Sequence, residues 1–446
     1  MGGKTIDVKD RSLISLSWPL VMMFAVGVLQ PLMDSWFLSR TSETAAAGVG
    51  AMLPVLGALF TALHAFAQSG ASIASQYIGA GQGSHARCTQ TMVIFGSTLL
   101  GASLGLIVFP LSGVIPQWMG LEGNPTGYAR QFLEVVSIGF AFRALQTILT
   151  ALVAACGFTI WIFACNVFTI VSNAVLNYVF LEGLFGFPKL GVHGVALATI
   201  LSWLLSSIIL WLVLRFKGGH RTNRRDLKRS RVILPDWVRI GFPAAAEPIS
   251  FQLFQVFITA MVVYVGTTAM TARVFAGNFA ALSVILGIGL GNGNMILVGH
   301  LVGAHDFDRV KRRVRETLAI GVTSGFLISV AVALCGESLI RFFTDNPEVI
   351  RLGRICLWCD VAVQPFKAVN FIVTTSLRAA GDSRFPAVVG SAMMWTLGLG
   401  TALFLAFVLD LGLPGLWLGM ASDEFYRSIA NLWRWRSGRW KSKGVV

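Results

Sequence analysis

Apolar runs of about 20 residues follow one another along this chain, and the polar connections between them are too short to fold as soluble domains. A run of that length can cross the hydrocarbon core of a bilayer as a helix, and a helix satisfies its own backbone hydrogen bonds there. Charge is correspondingly sparse: 13% of the 446 residues are charged, against roughly 25% in soluble proteins, and mean hydropathy is +0.71. The chain therefore reads as an all-α membrane protein. Its N-terminal MGGKTIDVKDRSLISLSWPL has no small-residue cleavage site behind a short apolar core, and Ile6 stands where a myristoylation signal needs Ser or Thr. The first span is expected to serve as its own insertion signal.

Apolar runs and helix breakers place spans from near residues 13, 45, 91, 128, 159 and 191, and again from near 237, 270, 315, 352, 385 and 413. The net charge of +14 gathers in Arg215 to Arg231, in Asp308 to Arg315 and in the tail from Arg434, each just outside an apolar run. Cytoplasmic loops carry charge in this way, so the excess does not call for nucleic acid as a partner. With six spans per half, these loops and both termini fall on one side, the cytoplasm.

The two halves repeat. A shift of 224 residues brings Pro19 onto Pro243, Gly79 onto Gly303, Gly101 onto Gly325, Phe142 onto Phe366 and Gly157 onto Gly381. The expected architecture is twelve transmembrane helices in two six-helix bundles related by a pseudo-two-fold axis along the membrane normal. Residues 1–216 form an N-lobe, 217–236 a basic cytoplasmic linker, and 237–446 a C-lobe with a basic tail. Such repeats are typical of transporters with a substrate site near the midplane.

Within this apolar frame the charged residues stand out. Asp34 lies one turn after Pro31, whose missing N–H frees the carbonyl of Gly27. Gly27 and Pro31 read as a hinge, and Asp34 as an ion-coupling carboxylate that can be charged or neutral. A plainer reading puts Asp34 at the outer interface, capped by Ser35 or Arg40. Glu247 sits between Pro243 and Pro248 in the seventh span, facing a cavity or the cytoplasmic surface. Arg143 and Lys367 are repeat equivalents in the fourth and tenth spans. Cations in mid-span usually pair with acids, which suggests Asp34 with Arg143 and Glu247 with Lys367, Asp360 being a rival for Lys367. Such pairs either brace each bundle or line a cavity. Asn166, Asn173 and Asn177 form one stripe of the fifth span, with Thr199 and Ser202 on the sixth. Amides and hydroxyls of this kind coordinate a cation, relay a proton, or bind helices together. The glycines of GIGLGNGN (Gly287 to Asn294) suit close packing or bending rather than dinucleotide binding, and no Walker lysine motif is present. No nucleophile–base set suggests an enzyme.

SLRAAGDSRFP (Ser376 to Pro386), SQYIGAG (Ser75 to Gly81) and LGVHGVALATILS (Leu190 to Ser202) resemble signatures of the multidrug and toxic compound extrusion (MATE) family. This family lies within the multidrug/oligosaccharidyl-lipid/polysaccharide exporter superfamily, and the resemblance covers nearly the whole chain. It implies an antiporter, with no cofactor, that exports cationic or amphipathic small molecules in exchange for H⁺ or Na⁺ by rocking of two lobes. Asp34 falls at the family's first-span acid, and Asn173 and Thr199 match polar residues of its N-lobe coupling site. Asn177 stands where members often carry Asp, leaving Asp34 as the sole acid there, with protons favoured over a Na⁺ ion near Asp34. A multi-pass protein of the bacterial inner membrane, monomeric, is expected. The alternative is a flippase or exporter of lipid-linked or anionic substrates, which Arg143 and Lys367 would suit.

Overall fold

The computed structural model describes residues 8–27, 29–220 and 232–446, the side chains of Pro31, Leu32, Thr41 and Glu43 excepted. Among these residues there is no strand, and nine helices are long and apolar enough to cross a membrane. Most show large apolar side chains outward, Leu106 and Phe95 among them. In water that would be a fault; against lipid it is the rule.

The first span consists of Leu13–Gly27 and Leu29–Thr41. The second is Glu43–Gly79 and the third Gly83–Leu111. The fourth is broken: Asn124–Ile138 and Phe140–Ala155 meet at Gly139 with a bend of 55°. Thr159–Glu182 and Gly191–Phe216 complete the first half. The seventh to tenth spans are Leu234–Val265, Thr267–Gly303, Phe307–Leu334 and Pro347–Ala379. The eleventh, Arg384–Val408, contains two π-helical stretches, and Gly412–Arg436 is the twelfth. Among the described residues the nine long apolar helices, the broken first and fourth spans and the twelfth helix make twelve segments, the number the sequence led us to expect.

These helices form two compact units. The first contains Met22–Ile78 and Gln82–Gly241; the second contains Lys9–Val21, Gly79–Gly81 and Phe242–Val446. The middle of the basic linker expected over 217–236 lies outside the described residues. At its far end Trp237 is folded into the first unit, its indole N–H donating to the Phe66 carbonyl at 3.0 Å.

Between helices in lipid there is little hydrophobic drive, so close backbone approach over small residues does much of the holding. In the first unit, a Cβ on Gly101 would strike Ala144 and the Phe140 carbonyl, and one on Gly105 the Ser137 carbonyl. The third span thus lies directly on the fourth. In the second unit, the alternating glycines of the eighth span face two neighbours. Gly289 and Gly293 abut Val21 and Ser17, while Gly291 abuts Phe371 of the tenth span. The twelfth span presents Gly415 to the backbone around Ala406 and Gly419 to Ala402. Around these contacts lie ordinary apolar cores: Leu133, Phe140 and Trp203 in the first unit, and Phe254, Leu357 and Trp417 in the second.

Candidate functional site

In the first unit the Asp34 carboxylate is half-buried and meets the fifth span. Asn177 Nδ2 donates to Asp34 Oδ1 at 2.9 Å and also to Asn173 Oδ1 at 3.2 Å. Asn173 Nδ2 donates in turn to Thr199 Oγ1 at 3.4 Å, and the Thr199 hydroxyl is spent on the Val195 carbonyl at 2.9 Å. The geometry follows from spacing. Asn173 and Asn177 are four residues apart on one helix face, and the fifth and sixth spans pack side by side. Asn173 and Asn177 are fully buried, and Asn177 Oδ1 has no hydrogen-bond partner among the described residues. Asn166 stands outside this chain of bonds. Gly27 ends the first helical piece, and a Cβ added there would meet nothing within 4 Å. The Pro31 side chain lies outside the described residues.

Arg143 is not the partner of Asp34. Its guanidinium lies 5.1 Å from the centre of the Phe60 ring and 5.5 Å from that of Trp203. Nη1 donates to Gln146 Oε1 at 2.8 Å, and Gln146 passes the chain on to Ser206 at 3.0 Å. Two aromatic faces and an amide take the place of the expected carboxylate. Arg40, the suggested cap for Asp34, instead lies over Trp36 at 4.2 Å.

The second unit differs from the expected pairing as well. Lys367 Nζ is 2.7 Å from Asp360, and Gln364 donates to the other oxygen of Asp360 at 2.7 Å. Seven residues are nearly two full turns, so Asp360 and Lys367 share a face of the tenth span. Glu247 is committed elsewhere: Arg378 holds it at 2.7 Å and Arg427 at 3.5 Å, with the Glu247 side chain 8% exposed. Arg427 also reaches Asp423 and Glu424, each at 2.9 Å. Glu424 accepts from Asn370 at 2.7 Å, and Asn431 donates to Asn370 and Thr374. Three carboxylates thus share two guanidinium groups, and Asp423 Oδ1 has no hydrogen-bond partner among the described residues.

Arg378, Asp423, Glu424 and Arg427 escaped the sequence reading. The signal was there: ASDEFYRSIANL puts two acids and an arginine at spacings of three and four in an apolar helix. This cluster borders a cavity of about 540 Å³ inside the second unit. Its walls are mainly apolar, with Phe251, Phe254 and Trp417 among them, and Lys367 and Arg273 also line it.

A family model described as MatE matches the chain twice, over residues 19–179 and 243–404. The chain belongs to the MATE family. The two matches start 224 residues apart, the same shift that superposes the halves in sequence. Among relatives, the uncharacterized transporter YisQ of Bacillus subtilis (strain 168) is 28% identical over 98% of this chain and 96% of that protein. The probable multidrug resistance protein NorM of Thermotoga maritima is 27% identical over 98% of this chain and 94% of its own length. Among solved structures, a MATE crystal structure in the bent conformation superposes with a TM-score of 0.90 at 20% identity, covering the whole of both chains. An outward-facing multidrug resistance MATE transporter gives 0.89 at 18% identity, with 99% of this chain and all of that one covered.

In this MATE protein the SLRAAGDSRFP signature is a structural knot. Arg378 runs to Glu247, and Asp382 accepts from Arg434 at 2.7 Å. Gly381, at φ +87°, ends the tenth span in the left-handed region, and a Cβ there would strike the Lys443 carbonyl. Membership makes the chain a multi-pass membrane transporter of small molecules.

Proposed function

We propose that this protein is a secondary antiporter that exports cationic or amphipathic organic molecules in exchange for protons, with Na⁺ the second choice of ion. Several relatives carry the name multidrug resistance protein, which supports efflux as the direction. The two halves, 1–216 and 237–446, act as lobes that rock between inward- and outward-open states, with both termini in the cytoplasm and the protein in the inner membrane.

One observation carries the coupling: among the described residues Asp34 has no cation beside it, only the Asn177 amide. An ion-paired carboxylate is locked in one charge state by its partner. A carboxyl held by a neutral amide can gain and lose positive charge, and the free Oδ1 of Asn177 offers an acceptor to a bound proton or cation. The donors are all oxygens, from one carboxylate, two amides and a hydroxyl, which suits a proton or a hard monovalent ion. Asn173 and Thr199 position Asn177 for this exchange.

The test is transport by purified protein in proteoliposomes with a pH gradient or a Na⁺ gradient imposed in turn. Proton coupling requires uptake of a fluorescent cationic substrate to follow the pH gradient and to vanish in Asp34→Asn. Uptake driven equally well in Asp34→Asn removes this carboxyl from the mechanism.

A further inference from the structure

We infer that the cavity inside the second unit is a binding site for amphipathic organic anions, with Arg273 as the group that takes the anionic head. The four cations that line the cavity are Arg273, Lys367, Arg378 and Arg427. Lys367 is neutralised by Asp360, and Arg378 and Arg427 are engaged by Glu247, Asp423 and Glu424. Arg273 alone among them has no carboxylate within ion-pair distance among the described residues. Its one side-chain hydrogen bond among the described residues is neutral, from Nη1 to Thr259 Oγ1 at 2.7 Å. That leaves further guanidinium N–H donors for a ligand, in a geometry that suits carboxylate, sulfonate or phosphate.

A cation near a helix end often reaches back to the interface. Arg273 does not. It lies six residues inside the eighth span, and Thr259 lies six residues before the end of the seventh. The bond between them therefore crosses the hairpin level with the side chain's own origin, about 9 Å below the connecting turn. A permanent positive charge at that depth is costly without a counter-charge. Gln255 also lines the cavity, one turn from Thr259, and its Oε1 is buried with no hydrogen-bond partner among the described residues.

The body of the ligand is set by the walls. Phe251, Phe254, Trp417 and Met420 are apolar or aromatic, and Gly277 opens onto space where a Cβ would meet nothing within 4 Å. Glu247 stands twelve residues before Thr259, about 18 Å along the helix, so the acid-bearing end of the cavity is far from Arg273. An anion with an aromatic body, with or without a distant amine, fits this polarity. The inference rests on the transport reading for its biological meaning, but its test is equilibrium binding, which can fail or succeed independently of coupling at Asp34.

The experiment is isothermal titration of the full-length protein in detergent with naphthalene-1-sulfonate. Wild type is expected to bind it saturably, Arg273→Gln at least tenfold more weakly, and Arg273→Lys in between. Gly277→Leu, which fills the open space, should abolish binding while leaving the thermal unfolding midpoint close to wild type. Absence of saturable binding to wild type, or equal affinity in Arg273→Gln, overturns the proposal. If Arg273→Gln does not fold, unchanged affinity in Gly277→Leu overturns it equally.

Discussion

Asp34→Asn keeps the size and polarity of the side chain and removes only its ability to change charge. It is therefore expected to insert and accumulate normally while coupled efflux falls to background, read as substrate accumulation in cells expressing equal amounts of each protein. Lys367→Gln should behave differently, because it strands the buried Asp360. Removing one partner of a buried pair costs about 3–5 kcal/mol, visible as a lower unfolding midpoint in detergent, and adding Asp360→Asn should restore most of it. Asp34, Arg143, Glu247 and Lys367 stood out in the sequence because an ionisable group inside an apolar run is rare. The partners of Arg143 and Glu247 were not legible there. Sequence supplies the charge of a side chain but not the bearing of its helix, so Arg143 was assigned an acid when it lies against the Phe60 and Trp203 rings. Lys367 shows the opposite: Asp360 lay two turns away on the same helix, and helical period alone put it in reach.

Several helix contacts depend on glycine. Gly293→Val would drive a branched side chain into Ser17, and Gly289→Leu would do the same at Val21. Each is expected to lower the unfolding midpoint by several degrees, whereas Gly277→Ala, with open space around it, should leave it unchanged. Gly381→Ala combines a left-handed backbone, about 1–2 kcal/mol for an L-residue, with a collision at the Lys443 carbonyl. The repeat was readable at this scale because its matching positions include glycines, at Gly101 and Gly325 and at Gly157 and Gly381; a Cβ on Gly101 would strike the fourth span, and Gly157 and Gly381 both turn the chain at positive φ. The break at Gly139 and the π-helical stretches at Met394–Gly398 and Phe404–Val408 were not readable. They arise where one helix adjusts to another: the eleventh span lies so close to the twelfth that Gly398 faces Asp423 and Gly415 faces Ala406. No local preference in WTLG or FLAF announces it.

At the scale of the whole molecule the proposed exchange has an energetic signature. One charge moved across the membrane field is worth about 2.3 kcal/mol per 100 mV. Exchange of one proton for a monovalent cation moves no net charge, so export should respond to the pH gradient and persist when the membrane potential is clamped to zero with a potassium ionophore. Loss of export under that clamp would mean unequal charge exchange. Overall class, span number and repeat were visible from hydropathy and spacing because lipid permits so few solutions. The cavity was not, since it is formed where the hairpin of the seventh and eighth spans meets the tenth and twelfth, far along the sequence. The tail of the chain carries a last implication. Trp440 is fully buried, stacked on Trp435 at 4.4 Å and set against Phe307, and the Lys443 carbonyl lies at the Gly381 turn. A ribosome that stops just short of Trp440 would release a polypeptide with every crossing of the bilayer made and its closing stitch absent. Reporter fusions placed upstream of that tryptophan would carry the same defect, and would misjudge how well the native transporter is made.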